Sequence, residues 1–114
     1  MTFEMWLSQW LAARLQRSIK TVITPEAVSV TLDDVSDINK FIRESSIVAV
    51  ISMRSKRDAA VLSAALQEAT SELPLQNYVL SCYVETERAE RIGNPPEWNY
   101  LVSMRIRHRR RDSW

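Results

Sequence analysis

Residues 46–73 carry the strongest pattern in the chain: the five consecutive apolar positions from Ile47 to Ile51, then a polar turn, then a helical repeat. The run is β-branched at four of its five positions and does not alternate, which predicts a strand covered on both faces. Ser55 is placed to cap a helix over residues 58–73, with Asp58 at capping-box spacing, and Pro74 blocks its continuation. Val61, Leu62, Ala65, Leu66, Ala69 and Leu73 form the predicted buried side of that helix.

The flanking segments read as the partners this unit needs. Thr2 caps a predicted amphipathic helix over residues 3–21; Phe3, Trp6, Leu7, Trp10, Leu11, Leu15, Ile19 and Val22 recur at spacings of three and four. Two tryptophans in that stripe suit a core, and also an oligomer contact. The Thr24-Pro25 pair ends the helix, and the alternation of Val28, Val30 and Leu32 predicts a half-exposed strand over 27–32, near a sheet edge. Asp34 or Ser36 caps a short helix over 37–44 that buries Ile38, Phe41 and Ile42.

Past the central helix, residues 77–86 alternate with Tyr78, Leu80, Cys82 and Val84 inward. A strand, a helix and a second strand in this order imply parallel strands joined by a right-handed crossover. Residues 87–96 form a charged, proline-marked stretch that reads as an extended exposed loop. The last strand spans 97–108, with Trp98, Tyr100, Val102, Met104 and Ile106 inward and Asn99, Leu101, Ser103, Arg105 and Arg107 outward. The expected architecture is therefore α+β. A mixed sheet of about four strands is packed by the N-terminal helix and the long central helix, with an extended loop between the last two strands.

Composition narrows the function classes. The 114 residues form one domain, residues 1–114, with 108–114 as a basic tail; 46% hydrophobic content supplies a single core. A net charge of +1 gives no whole-molecule attraction to nucleic acid or an anionic membrane, so any such argument rests on local clustering. No apolar stretch approaches the ~20 residues of a membrane span, and Glu4 does not suit a signal peptide. The single glycine argues against phosphate-cradling loops and nucleophile elbows. Cys82 lies inside a predicted strand and reads as a buried inert thiol. His108, the one histidine, sits among arginines with no cysteine or serine partner in sight. Asp33, Asp34 and Asp37 lack the glycine and distal glutamate of a calcium loop and read as capping and solvated groups. The expectation is a protein that is not an enzyme, with no catalytic residue, metal, cofactor or small-molecule substrate.

The constellation that stands out is the segment Arg105–Ile106–Arg107–His108–Arg109–Arg110–Arg111. While it stays extended, Arg105, Arg107, Arg109 and Arg111 project to one side at ~7 Å intervals, a stripe that seeks an acidic surface or nucleic acid. No aromatic is interleaved with these arginines, so a protein partner is preferred and nucleic acid is secondary. Arg88 and Arg91 in the predicted loop extend the basic set, and Asp33 and Asp34 offer the opposite charge on the same domain. Opposite charges at two ends of one domain suit head-to-tail assembly into a ring.

The order of elements, carried by Ile47-Val48-Ala49-Val50, Arg57-Asp58-Ala59-Ala60-Val61-Leu62, residues 78–84 and the closing residues 98–107, resembles the tail terminator (tail completion) proteins of bacteriophages. In that family identical subunits form a ring, usually a hexamer, that caps the tail tube and joins it to the head connector. The resemblance implies a structural, self-assembling virion protein, made in the host cytoplasm, with copies of itself, the tube and the connector as partners. The proline-marked loop and the arginine-rich end depart from the family. The alternative is a nucleic-acid-binding or general protein-interaction module using the arginine stripe.

Overall fold

A computed structural model describes residues 1–15, 21–44, 47–73, 75 and 78–108. In chain order the elements are α1 (Phe3–Arg14), β1 (Thr21–Ile23), α2 (Pro25–Val28), α3 (Val35–Glu44), β2 (Ile47–Met53), α4 (Lys56–Ser71), β3 (Tyr78–Ile92) and β4 (Glu97–His108). The four strands form one sheet in the order β1-β2-β4-β3, as an α+β fold. All three neighbouring pairs are antiparallel, so the sheet is not mixed. β2 and β3 do run parallel, since both are antiparallel to β4, but β4 sits between them. The last strand closes the sheet from within.

The expected run of apolar residues in β2 is an interior strand, yet it is covered on one face only. Register puts Ala49, Ile51 and Met53 on the same side as Tyr100, Val102 and Met104 of β4 and Leu80, Cys82 and Val84 of β3. All nine are buried. Phe3, Leu7 and Leu11 of α1, Ala27 of α2, Ile38 and Phe41 of α3, and Ala59, Leu62 and Leu66 of α4 join them in a single cluster. Ile47, Val50, Leu101 and Tyr83 point the other way, lie outside that cluster and stay half-buried. They shield one another across the strands, which is why β2 carries apolar residues on both sides without a second helical layer.

Four segments differ from the sequence expectation. The first helix stops at Arg14, and Thr21–Ile23 pairs with β2 instead of extending it. β-Branched Thr21, Val22 and Ile23 suit a strand, and pairing covers an otherwise bare edge of β2. Ile19 and Lys20 lie outside the described residues. Residues 27–32 are not a strand: Pro25 starts the short α2, its fixed φ already helical at the first position. The Thr24 hydroxyl is within 3.2 Å of the Ile47 and Val48 carbonyls and ties this corner to β2. Val30 and Leu32 are buried as their alternation suggests, held by a Phe3 N–H bond to the Val30 carbonyl at 2.7 Å. Residues 87–92 continue β3 rather than forming a loop, and only a turn at 93–96 separates the last two strands. Gly93 takes φ 76° there, a left-handed conformation that favours glycine. A bulge between Glu85 and Glu90 absorbs the extra residues of β3, and the long hairpin gives the domain extents of 53 × 29 × 25 Å.

The fourth difference is in α4. Ser55 caps it as expected, accepting from the Asp58 N–H at 3.4 Å. Its buried side, however, includes Ser63 and Thr70, while Val61 is 61% exposed. The two hydroxyls serve β3, an edge strand whose outward N–H groups have no neighbouring strand. Thr70 Oγ1 accepts from the Cys82 N–H at 3.0 Å and donates within its own helix, with the Leu66 carbonyl 2.8 Å away. Ser63 Oγ accepts from the Val84 N–H at 3.0 Å. The helix thus closes the sheet edge it packs against.

Thr70→Val keeps the side-chain shape but strips the acceptor from a buried donor, at a cost of about 1–3 kcal/mol. Thermal melts should fall by several degrees with the fold retained, and the Cys82 amide should exchange faster. Unchanged melting and exchange would mean that the hydroxyl does not hold this edge. One-sided packing is tested by a second pair. Ile51→Asp buries an unpaired charge and should cost several kcal/mol, whereas Val50→Asp, on the open face, should leave a soluble, cooperatively melting protein. Equal damage from both would contradict the assignment of faces.

Candidate functional site

The uncovered face of the sheet is graded along the strands. At one end Ser52 and Asn99 pair across β2 and β4, with Ser52 Oγ 2.6 Å from Asn99 Oδ1. The next row runs Val22, Val50, Leu101 and Glu85 across all four strands, with Val22 57% exposed. The row after it is Ile47, Ser103 and Tyr83. Beyond lie Arg105 beside Ser81 and Arg107 beside Val79, both arginines exposed. An apolar centre therefore meets a basic end on a surface that no helix covers among the described residues.

The predicted arginine stripe is real where it is described: Arg105 and Arg107 share this face. Arg109 and Arg111 lie outside the described residues. No aromatic is interleaved with the arginines along the chain, but the register supplies one from the neighbouring strand. Tyr83 on β3 lies diagonal to Arg105, whose guanidinium carbon is 5.7 Å from the ring centroid. Strand pairing brings them together across some twenty residues of chain, a relation that periodicity within one strand does not contain. Ser103 is almost fully buried between them and Ile47, its hydroxyl without a hydrogen-bond partner among the described residues.

Arg88 and Arg91 are not part of this basic end. They sit toward the turn of the hairpin, where Arg91 pairs in register with Trp98, whereas Arg105 pairs with Ser81 toward the other end. Arg88 Nη1 lies 3.6 Å from Glu85 Oε2 on its own strand. Asp33 and Asp34 occupy the turn before α3, both exposed. Asp33 lies 3.5 Å from the Met1 amino group, and Asp34 Oδ1 accepts from the Ser36 N–H at 2.9 Å, the capping role expected of it.

On the helical side, Glu26, Ser29, Val30, Asp37, Lys40 and Phe41 line an open concavity of about 290 Å³ between α2 and α3. Among the described residues no three histidine, cysteine or acidic side chains gather as a metal site would require, and no helix is long and apolar enough to cross a membrane. Cys82 is wholly buried in β3, and burial pushes its thiol far above the usual range. No protein-family model, curated protein or solved structure matches this chain.

The sealed thiol makes a prediction with a definite sign. The unfolded chain loses the Cys82 proton near pH 9.0 while the folded chain keeps it. Stability from this group is intact below that pH and falls as pH rises past it, by up to roughly 1.4 kcal/mol per pH unit. Denaturant titrations of wild type and Cys82→Ala between pH 8 and 10 should show a steeper decline for wild type. A thiol reagent should label the folded protein only on unfolding; rapid labelling of native protein would contradict the burial.

Proposed function

We propose that this protein is a structural assembly subunit whose copies associate into a ring, in the manner of the phage tail terminators that its order of elements resembles. In such a particle the ring would sit between the tail tube and the head connector. The observation that carries this reading is the open sheet face. On the solvated face of an antiparallel sheet polar side chains are the rule, so an apolar row there suits contact with a partner. Its apolar row of Val22, Val50 and Leu101 supplies contact area, and Arg105 and Arg107 at one end supply register and selectivity. Branched apolar side chains, a tyrosine and guanidiniums suit contact rather than covalent chemistry.

A second reading is favoured by one observation, the Arg105 guanidinium over the Tyr83 ring. An aromatic and a cation side by side on an open antiparallel sheet would also suit a single-stranded nucleic acid. Salt separates the two: phosphate contacts weaken log-linearly and steeply with salt, while an interface with an apolar centre softens only modestly.

Native mass spectrometry across concentration, with imaging of assembled particles, tests the assembly reading. Closed homo-oligomers are the expected outcome. A chain that stays monomeric alone, and is present in particles as single copies without contact between like subunits, would overturn it.

A further inference from the structure

We propose that the open sheet face of one copy docks against the α2–α3 side of the next, with Arg105 and Arg107 set against Glu26 and Asp37. The proposal rests on the assembly reading and names the two surfaces that carry it. They are complementary in charge. Two exposed guanidiniums end one surface, and two exposed carboxylates line the concavity on the other, where Lys40 is the only basic lining residue among those described. They also belong to opposite layers. Arg105 and Arg107 project from the side of the sheet facing away from the core, whereas α2 and α3 bury Ala27, Ile38 and Phe41 in the core from the other side.

Each surface has a further property that suits the other. The sheet face carries its apolar row of Val22, Val50 and Leu101, and the α2 side presents Val28, 41% exposed, next to Glu26 and Ser29. The concavity of about 290 Å³ has room for a guanidinium, with Val30 and Phe41 in its lining for the aliphatic stem. Arg105 is held over Tyr83 before any partner arrives, which lowers the ordering cost of the contact. Because the two surfaces differ, the contact is heterologous. Each copy keeps one free surface of each kind, so assembly propagates until rotation closes a ring.

The test uses the full chain in two forms. Arg105→Glu with Arg107→Glu disables the sheet face, and Glu26→Lys with Asp37→Lys disables the helical face. All four residues are exposed, so melting curves should stay near wild type. The milder pairs Arg105→Gln with Arg107→Gln, and Glu26→Gln with Asp37→Asn, serve where a charge reversal lowers the melt. Each form alone should self-associate roughly 10-fold or more weakly than wild type by sedimentation. An equimolar mixture of the two charge-reversed forms should regain assembly, because the intact pair of surfaces alternates with a charge-swapped pair, whereas a mixture of the neutral forms should stop at a heterodimer joined by the two intact surfaces. Either form assembling like wild type, or a mixture that stays monomeric, overturns this interface. It would also be overturned if the arginine form lost only binding to a single-stranded oligonucleotide while still self-associating. Those failures leave the assembly reading standing; a wild-type chain that never self-associates removes both.

Discussion

Everything in this domain depends on the period-two split of β4. Tyr100, Val102 and Met104 point to one side and are buried, and Leu101 and Arg105 point to the other and are not. Because β4 is inserted between β2 and β3, that split propagates to both neighbours through register. The core side chains of α1, α2, α3 and α4 gather with Val102 in a single cluster. A one-residue slip of β4 would exchange the two faces, turning Arg105 and Arg107 into the core. Tight pairing with a strand on each side is what prevents it.

An exposed sheet creates two hazards, its edges and its open face, and the chain treats them differently. The β3 edge is closed from within by the hydroxyls of Ser63 and Thr70, which take the Val84 and Cys82 N–H groups. Farther along, exposed Glu87, Arg88, Glu90 and Arg91 load β3 with charges that discourage strand pairing between copies. The open face receives no such protection across Val22, Val50 and Leu101. A protein that blocks its β3 edge yet leaves that row only half-covered presents one surface for association and closes another.

Local features were legible in the sequence. The β2 run, the capping of α4 by Ser55, the Asp34 cap of α3 and the inward sets of β3 and β4 each follow from residues within a few positions of one another. The misread segments depended on distant partners. Thr21–Ile23 is a strand because β2 offers it an edge, and residues 87–92 stay extended because β4 returns beside them through a turn only four residues long. Ser63 and Thr70 were passed over because an apolar repeat cannot show that a hydroxyl faces an unpaired N–H. The candidate site was half legible: the Arg105–Arg107 stripe follows from period two. Tyr83 and the apolar row required strand order, and Arg88 and Arg91 fell at the opposite end of the hairpin.

The central claim is that the open sheet face is the surface buried on assembly, and side-chain footprinting tests it most directly. Hydroxyl-radical labelling of the free chain and of the assembled state would compare Tyr83, Leu101 and Val50 on that face with Val61 on the outer side of α4. Tyr83, Leu101 and Val50 should lose reactivity on assembly while Val61 stays as reactive as before. Protection of Val61 with unchanged labelling of the three sheet residues would contradict the account.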